Sequence, residues 1–278
     1  MVDTHCHLDF PDFAGRIPDT LAQAAAAGVT AVITISTTTE NALTIAGIAR
    51  DHSNVWHTAG VHPLYADKGP HHWPNLRASA ASGKCVAWGE LGLDNHYPTP
   101  ARDLQRAVLE DQLGFILAAR TGADGGPPVD LPIVLHCREA FDDLLPILRA
   151  TGLPGHRFVF HCFTGTPDDA RAALDFGAFV SFTGVLTYRN ADDVRAAARL
   201  VPLDRVLVET DAPYLSPDPV RGKRPCVPAF VRHTAQALAD LHGLPLADLE
   251  VRLNANTKAF FGLPDRAFLP PAASVPSR

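Results

Sequence analysis

Residues 84–90 read KCVAWGE, a short apolar run that ends on a carboxylate, Glu90. Seven other stretches share its character: MVDTH (1–5), VTAVITIS (29–36), NVWHTAG (54–60), LPIVLH (131–136), RFVFH (157–161), AFVSFTG (178–184) and RVLVET (205–210). Each is apolar nearly throughout, which suits a strand covered on both faces, as in a parallel sheet with helices over it.

Between the runs lie segments with helical periodicity. In PARDLQRAVLEDQLGFILAAR (100–120), Leu109, Leu113 and Ile116 recur at i, i+4 and i+7 behind a proline start. Eight apolar strands separated by about 20 to 30 residues of helix predict a (β/α)8 TIM barrel. GADGGPPVD (122–130) reads as a surface loop, not a domain boundary. After the eighth strand two helical segments follow, around Ala229–His242 and Leu246–Phe261, so the barrel carries an additional C-terminal helix. The expectation is one domain over 1–263 and a disordered tail, PDRAFLPPAASVPSR, over 264–278.

Composition agrees with a globular α/β domain. Hydrophobic residues make up 46% of the 278 and charged residues 19%, ordinary values for a folded soluble chain. No run approaches the ~20 apolar residues of a membrane helix, and no signal-like apolar segment precedes Asp3 and His5, so a cytoplasmic location without membrane partners is expected. Five cysteines without CxxC spacing suit reduced thiols. The formal charge of −6 has the wrong sign for nonspecific coating of nucleic acid, so an anionic substrate must meet local positive charge or metal.

The ends of the runs carry the chemistry. In DTHCHLD (3–9), His5 and His7 are two residues apart and point to the same side of a strand, with Cys6 facing away. Other runs close on Glu90, His136, His161 and, in RVLVETD, Asp211. The C-terminal ends of barrel strands surround one mouth, where such enzymes carry their sites. Any one of these histidines alone reads as a structural residue with its own hydrogen-bond partner. Six such groups converging without counter-ions would cost several kcal/mol, a cost that cations between them would offset. The set therefore reads as a metal site.

Cys6, Cys137 and Cys162 neighbour these ligands in sequence and are expected to face the helix layer. Gly28, Gly60, Gly89 and Gly92 mark turns or close backbone approaches. The chain has no GxxxxGK[ST], GxGxxG or GxSxG, and Ser181 has no triad signature around it, which leaves metal-assisted hydrolysis.

The motifs DTHCHLD, GVHP, GELGLD, LHCREA, HCFTG and VETDAPYL resemble those of TatD-related metal-dependent deoxyribonucleases, in the same order and along nearly the whole chain, and Gln105 and Gln112 fit that family's spaced glutamines. The resemblance implies a centre of two divalent metal ions with His5, His7, Glu90, His136, His161 and Asp211 as ligands. It also implies hydrolysis of DNA phosphodiester bonds, commonly with magnesium and often from the 3′ end of single strands. Two departures stand out: the family's GLDYY reads Gly92-Leu93-Asp94-Asn95-His96, and its Asn-Glu-Pro reads Cys226-Val227-Pro228. Both are expected in loops near the mouth, where they would bear on substrate preference.

Roles follow as expectations. Glu90 bridges two ions; His5 and His7 hold one, His136 and His161 the other; Asp211, a ligand, takes a proton from the attacking water. Mg2+ or Mn2+ is the expected working ion, with Zn2+ possible as bound because imidazoles suit it. Arg138, Arg189 and the RGKR run (Arg221, Lys223, Arg224) are candidate phosphate contacts. His62 orients substrate or supports a ligand. Tyr188 and Trp88 are candidates to stack a base, with core packing the competing reading for Trp88. The same barrel and ligands could instead serve a small-molecule ester, amide or lactone, or a misacylated tRNA, and a metal-binding scaffold without activity is a reading from a different class.

Overall fold

The computed structural model describes residues 1–269. All eight apolar runs form strands: β1 (Val2–Cys6), β2 (Ala31–Thr34), β3 (Val55–Ala59), β4 (Cys85–Asp94), β5 (Ile133–Arg138), β6 (Phe158–Phe160), β7 (Phe179–Phe182) and β8 (Val206–Val208). They pair in chain order, each parallel to the next. A parallel bridge between Cys6 and Ala212 joins the two ends of the sheet. There the Asp211 N–H donates to the His5 carbonyl at 2.9 Å and the His7 N–H to the Ala212 carbonyl at 2.8 Å. Asp3 reinforces this seam from below, accepting from the Thr210 backbone N–H at 2.9 Å and from its hydroxyl at 2.6 Å.

Helices alternate with the strands: α1 (Ile17–Ala26), α2 (Asn41–Asp51), α3 (Trp73–Ala80), α4 (Arg102–Thr121), α5 (Phe141–Ala150), α6 (Pro167–Phe176), α7 (Asp192–Leu200) and α8 (Val231–Leu241). The extra C-terminal helix is α9 (Leu246–Phe261). The architecture is the TIM barrel that the sequence predicts. In α4 the expected stripe of Leu109, Leu113 and Ile116 is buried, and Gln105 and Gln112 lie buried with it.

The core has two parts. One fills the space between barrel and helices, and the other lies inside the barrel, where Val2, Ile33, Val134, Val159 and Leu207 meet Phe260, Phe261 and Leu263. The end of α9 thus closes the barrel at the N-terminal ends of the strands and leaves the opposite mouth open.

Three boundaries differ from the sequence reading. β4 runs past Glu90 to Asp94, so Gly92-Leu93-Asp94 is strand and not loop. β5 likewise continues past His136 to Arg138. Disorder from residue 264 does not hold for the first part of the tail: Asp265–Phe268 form a 3-10 turn with Ala267 buried, and the Ala267 carbonyl accepts from the Thr30 hydroxyl at 2.7 Å. Residues 270–278 lie outside the described residues.

Candidate metal centre

Local backbone irregularities aim the polar side chains. The register of β4 on β5 shifts between Trp88 and Leu91, around Glu90, and that of β1 on β2 shifts between Asp3 and Cys6, around His5. Bulges of this kind re-aim a side chain next to a site. Gly89 has φ +124°, and a Cβ there would lie 2.5 Å from the Val134 carbonyl oxygen. Gly92 has φ +148° and would meet the His136 carbonyl oxygen at 1.9 Å. Only glycine lets β4 approach β5 this closely, and Glu90 stands between the two.

Glu90 is the centre of the arrangement. Its Oε1 lies 2.6 Å from His161 Nε2, 2.8 Å from His136 Nδ1 and 3.2 Å from His62 Nε2, and its Oε2 lies 3.2 Å from His5 Nε2. Asp211 Oδ1 stands 3.4 Å from His7 Nε2 and 3.6 Å from His5 Nε2. The His5 ring stacks on His161 with centroids 3.9 Å apart. All six residues expected from the ends of the runs are therefore brought together, although His7, His161 and Asp211 lie just beyond their strands.

Electrostatics follow from this packing. Burial alone pushes the Glu90 carboxyl up, but the imidazoles of His161, His62 and His5 outweigh it and hold Glu90 well below the usual carboxylate range. Asp211 is lowered in the same way, burial being outweighed by the His7 hydrogen bond and the neighbouring His5. Burial and the nearby His161 lower His5. Burial lowers His7 and His161 too, but their carboxylate neighbours raise both, His161 well above the ordinary imidazole value.

The residues fit divalent ions. Both ring nitrogens of His5 and Nδ1 of His7 are buried without a hydrogen-bond partner, which is costly for imidazoles unless something else takes them up. Ligand atoms within 4.8 Å of one another occur in His5–His7–Glu90, in His62–Glu90–His136 and in His5–His161–Glu209. The two oxygens of Glu90 face different imidazoles, His5 on one side and His136 with His161 on the other. His62 differs from the rest: its Nδ1 accepts from the Leu64 N–H at 3.0 Å, so the neutral ring carries its proton on Nε2 and offers a donor rather than a lone pair.

Two carboxylates escape the sequence reading. Asp94 Oδ2 lies 3.0 Å from His136 Nε2, behind the nitrogen that faces Glu90. Glu209 Oε1 lies 3.2 Å from His161 Nδ1. Both were visible in outline, since Asp94 ends GELGLD and Glu209 stands two residues before Asp211 in VETD.

The centre opens into a cavity of about 1510 Å³ whose lining includes His62, Arg138 and Arg224, but not Arg189, Arg221 or Lys223. Arg221 instead lies over the Tyr188 ring at 3.8 Å. Trp88 is fully buried in the core and presents no face to a base. Tyr97 and Tyr214, which line the cavity and are 44% and 49% exposed, are its most exposed aromatic side chains, with Phe10 and Tyr65 half-buried in the same wall. Cys6 and Cys137 join the core as expected, although Cys137 also reaches the cavity lining, whereas Cys162 lines the cavity without joining the core: it follows β6, has φ +42°, and so escapes strand alternation. Among the described residues the non-glycine positions with positive φ are Glu139, Cys162, Asp211 and Leu215, and all four line the cavity. Backbone strain is concentrated where the chemistry sits.

Of the two departures, Asn95 lies at the mouth and donates to Asp143 Oδ2 at 2.8 Å, and His96 pairs with Glu139 at 2.8 Å. The other lies in the irregular segment after β8, two residues past Arg224, but does not line the cavity. Cys226 and Val227 are buried in the core, where an apolar side chain is at home.

Comparison with known proteins agrees with this geometry. The family profile described as TatD related DNase matches residues 2–262. The chain is 40% identical over 252 residues to the Escherichia coli K12 protein named uncharacterized metal-dependent hydrolase YcfH, covering 90% of this chain and 91% of that one. It is 32% identical over 276 residues to the protein named 3′-5′ ssDNA/RNA exonuclease TatD from the same organism, covering 95% and 99%. The crystal structure of YJJV, a TatD homolog from Escherichia coli K12, superposes with a TM-score of 0.85 at 31% identity over 95% of this chain and 98% of that one. Barrel, buried histidine–carboxylate centre and full-length similarity lead to one conclusion: the chain belongs to the TatD-related DNase family and is a metal-dependent hydrolase.

Proposed function

We propose that this protein hydrolyses phosphodiester bonds of DNA, removing nucleotides from the 3′ end of single strands at a centre of two divalent ions. The observation that carries the reading is Glu90, a buried carboxylate whose two oxygens face separate imidazoles on either side. His5, His7 and Asp211 would hold one ion and His136 and His161 the other, with the two oxygens of Glu90 available to both. Bound ions supply Lewis acidity and neutralise charge on the attacked phosphate. The imidazole-rich set suits Zn2+ or Mn2+ as the ion found, and phosphodiester chemistry suits Mg2+ or Mn2+ as the ion used.

The side chains divide the remaining work. Asp211 lines the cavity with its carboxylate held ionised, placed to take a proton from the attacking water. His62 presents its Nε2–H toward the centre, a donor suited to a phosphoryl oxygen. Arg138 and Arg224 on the cavity wall contact backbone phosphates, and the exposed faces of Tyr97 and Tyr214 stack bases of an unpaired strand. Single-strand preference and direction are carried over from the relative named 3′-5′ ssDNA/RNA exonuclease TatD.

The test uses metal-stripped protein with 3′- and 5′-labelled single-stranded DNA, with and without Mg2+ or Mn2+, beside a His5→Ala, His7→Ala double variant. Metal-dependent loss of the 3′ label in short products, absent from the variant, supports the proposal. Intact DNA despite bound metal overturns it and turns attention to esters, with an aminoacyl-RNA as the next substrate.

A further inference from the structure

Glu209 is offered by proximity as a ligand, together with His5 and His161. Its hydrogen bonds argue for another part. An ionised carboxylate has about four lone-pair sites. Oε1 accepts from the Cys162 backbone N–H at 2.6 Å and faces His161 Nδ1 at 3.2 Å. Oε2 accepts from Ser181 Oγ at 2.7 Å and lies 3.3 Å from Thr4 Oγ1, a hydroxyl also 3.0 Å from the Val208 carbonyl. The side chain is 2% exposed and enclosed by β1, β7 and the segment after β6. Little of its acceptor capacity is left for an ion.

We infer that Glu209 is a positioning residue: it takes the Nδ1–H of His161, fixes that ring's tautomer and orientation, and so keeps Nε2 turned toward Glu90 for a metal ion. The inference rests on the metal centre proposed above. The Nδ1–H is committed to Glu209 whether Nε2 carries a proton or faces an ion. The same grip orders the strained Cys162 backbone, whose N–H has Glu209 as its acceptor. The neighbouring histidine is treated alike, with Asp94 at His136 Nε2, 3.0 Å away, and Nδ1 left facing Glu90. Partners of this kind orient a ligating ring and raise its basicity, and losing one costs about 10- to 100-fold in metal affinity.

The experiment titrates metal-stripped full-length protein with Mn2+ by calorimetry, as wild type, Glu209→Ala and Glu209→Gln. In parallel, 15N-resolved NMR of the metal-stripped wild type reads the protonation of each His161 ring nitrogen. Glu209→Ala is expected to weaken one Mn2+ site by about 10- to 100-fold and leave the other close to wild type. Glu209→Gln keeps an oxygen that accepts from His161 and Cys162, and is expected to retain most of the affinity. The NMR is expected to find a proton on Nδ1. Wild-type affinity in Glu209→Ala, or a bare Nδ1 in the wild type, overturns the inference. A wild type that takes up no Mn2+ would instead remove the metal centre itself, while the Nδ1 measurement still decides the role of Glu209. Should Glu209→Ala fail to fold, the Gln variant and the wild-type NMR carry the decision.

Discussion

The side-chain amide of Gln112 closes on both backbone polar groups of Val61: its Oε1 accepts from the Val61 N–H at 2.8 Å and its Nε2 donates to the Val61 carbonyl at 3.2 Å. Seven residues earlier on α4, Gln105 does the same for Asp94, accepting from its N–H at 2.8 Å and donating to its carbonyl at 2.9 Å. Each glutamine stands in for a missing strand neighbour beside a residue of the centre, His62 or His136. Gln112→Leu leaves a buried donor and a buried acceptor without partners, at about 1–3 kcal/mol each. The variant should lose about 2–6 kcal/mol in denaturant unfolding, and a loss below about 0.5 kcal/mol would show that the clamp does not hold this segment.

Glu90→Gln keeps the size of the side chain and removes the charge that four imidazoles surround. Metal uptake should drop below that of wild type, and turnover of a labelled oligonucleotide should fall by about 10²-fold or more, the equivalent of about 3 kcal/mol. Elemental analysis of the purified variant checks the first and initial rates at saturating Mn2+ the second. Full metal content with normal turnover would remove Glu90 from the centre.

Two of the candidate phosphate contacts, Arg224 in the loop after β8 and Arg189 in the loop after β7, should behave differently. Arg224 lines the cavity and Arg189 does not. Arg224→Ala should raise KM for single-stranded DNA with kcat little changed, and lower the salt dependence of binding by a slope of about 1, as expected for one lost phosphate contact. Arg189→Ala should match wild type on both measures. Equal effects at the two positions would contradict the placement of the strand along the Arg224 wall.

Much of the fold was legible because strand and helix leave different periodicities, and because parallel strands buried on both faces are apolar throughout. The six strand-end residues were legible for a topological reason: a barrel gathers the ends of strands that are far apart in sequence. What the sequence concealed is local. Strand ends cannot reveal that β4 runs on to Asp94, since the glycines that let it hug β5 also resemble turn residues. Glu209 was hidden because VETD offers two acidic residues and only three-dimensional hydrogen bonding separates the one facing the cavity from the one beneath it. Arg138 and Arg224 reach the cavity while Arg189, Arg221 and Lys223 do not, a matter of loop path that charge alone does not record.

His57, a histidine outside the centre, gives a pH test of the fold itself. Its ring is fully buried, with Nδ1 3.0 Å from the Thr58 carbonyl and Nε2 2.6 Å from Ser82 Oγ. Burial lowers its pKa from the ordinary 6.5 to about 4. Between these two values the unfolded chain binds a proton that the folded chain refuses, so this contribution to stability is intact above pH 6.5 and falls as the pH drops toward 4. At about 1.4 kcal/mol per unit, the loss amounts to about 3 kcal/mol at the acid end. Other groups titrate in the same range, so the informative quantity is the difference between wild type and His57→Gln. Denaturant unfolding at a series of pH values should show a variant less stable near neutrality, through its altered buried hydrogen bonds, yet with a shallower decline on acidification, the two curves converging toward pH 4. Parallel curves across the window would mean that His57 accepts a proton without unfolding.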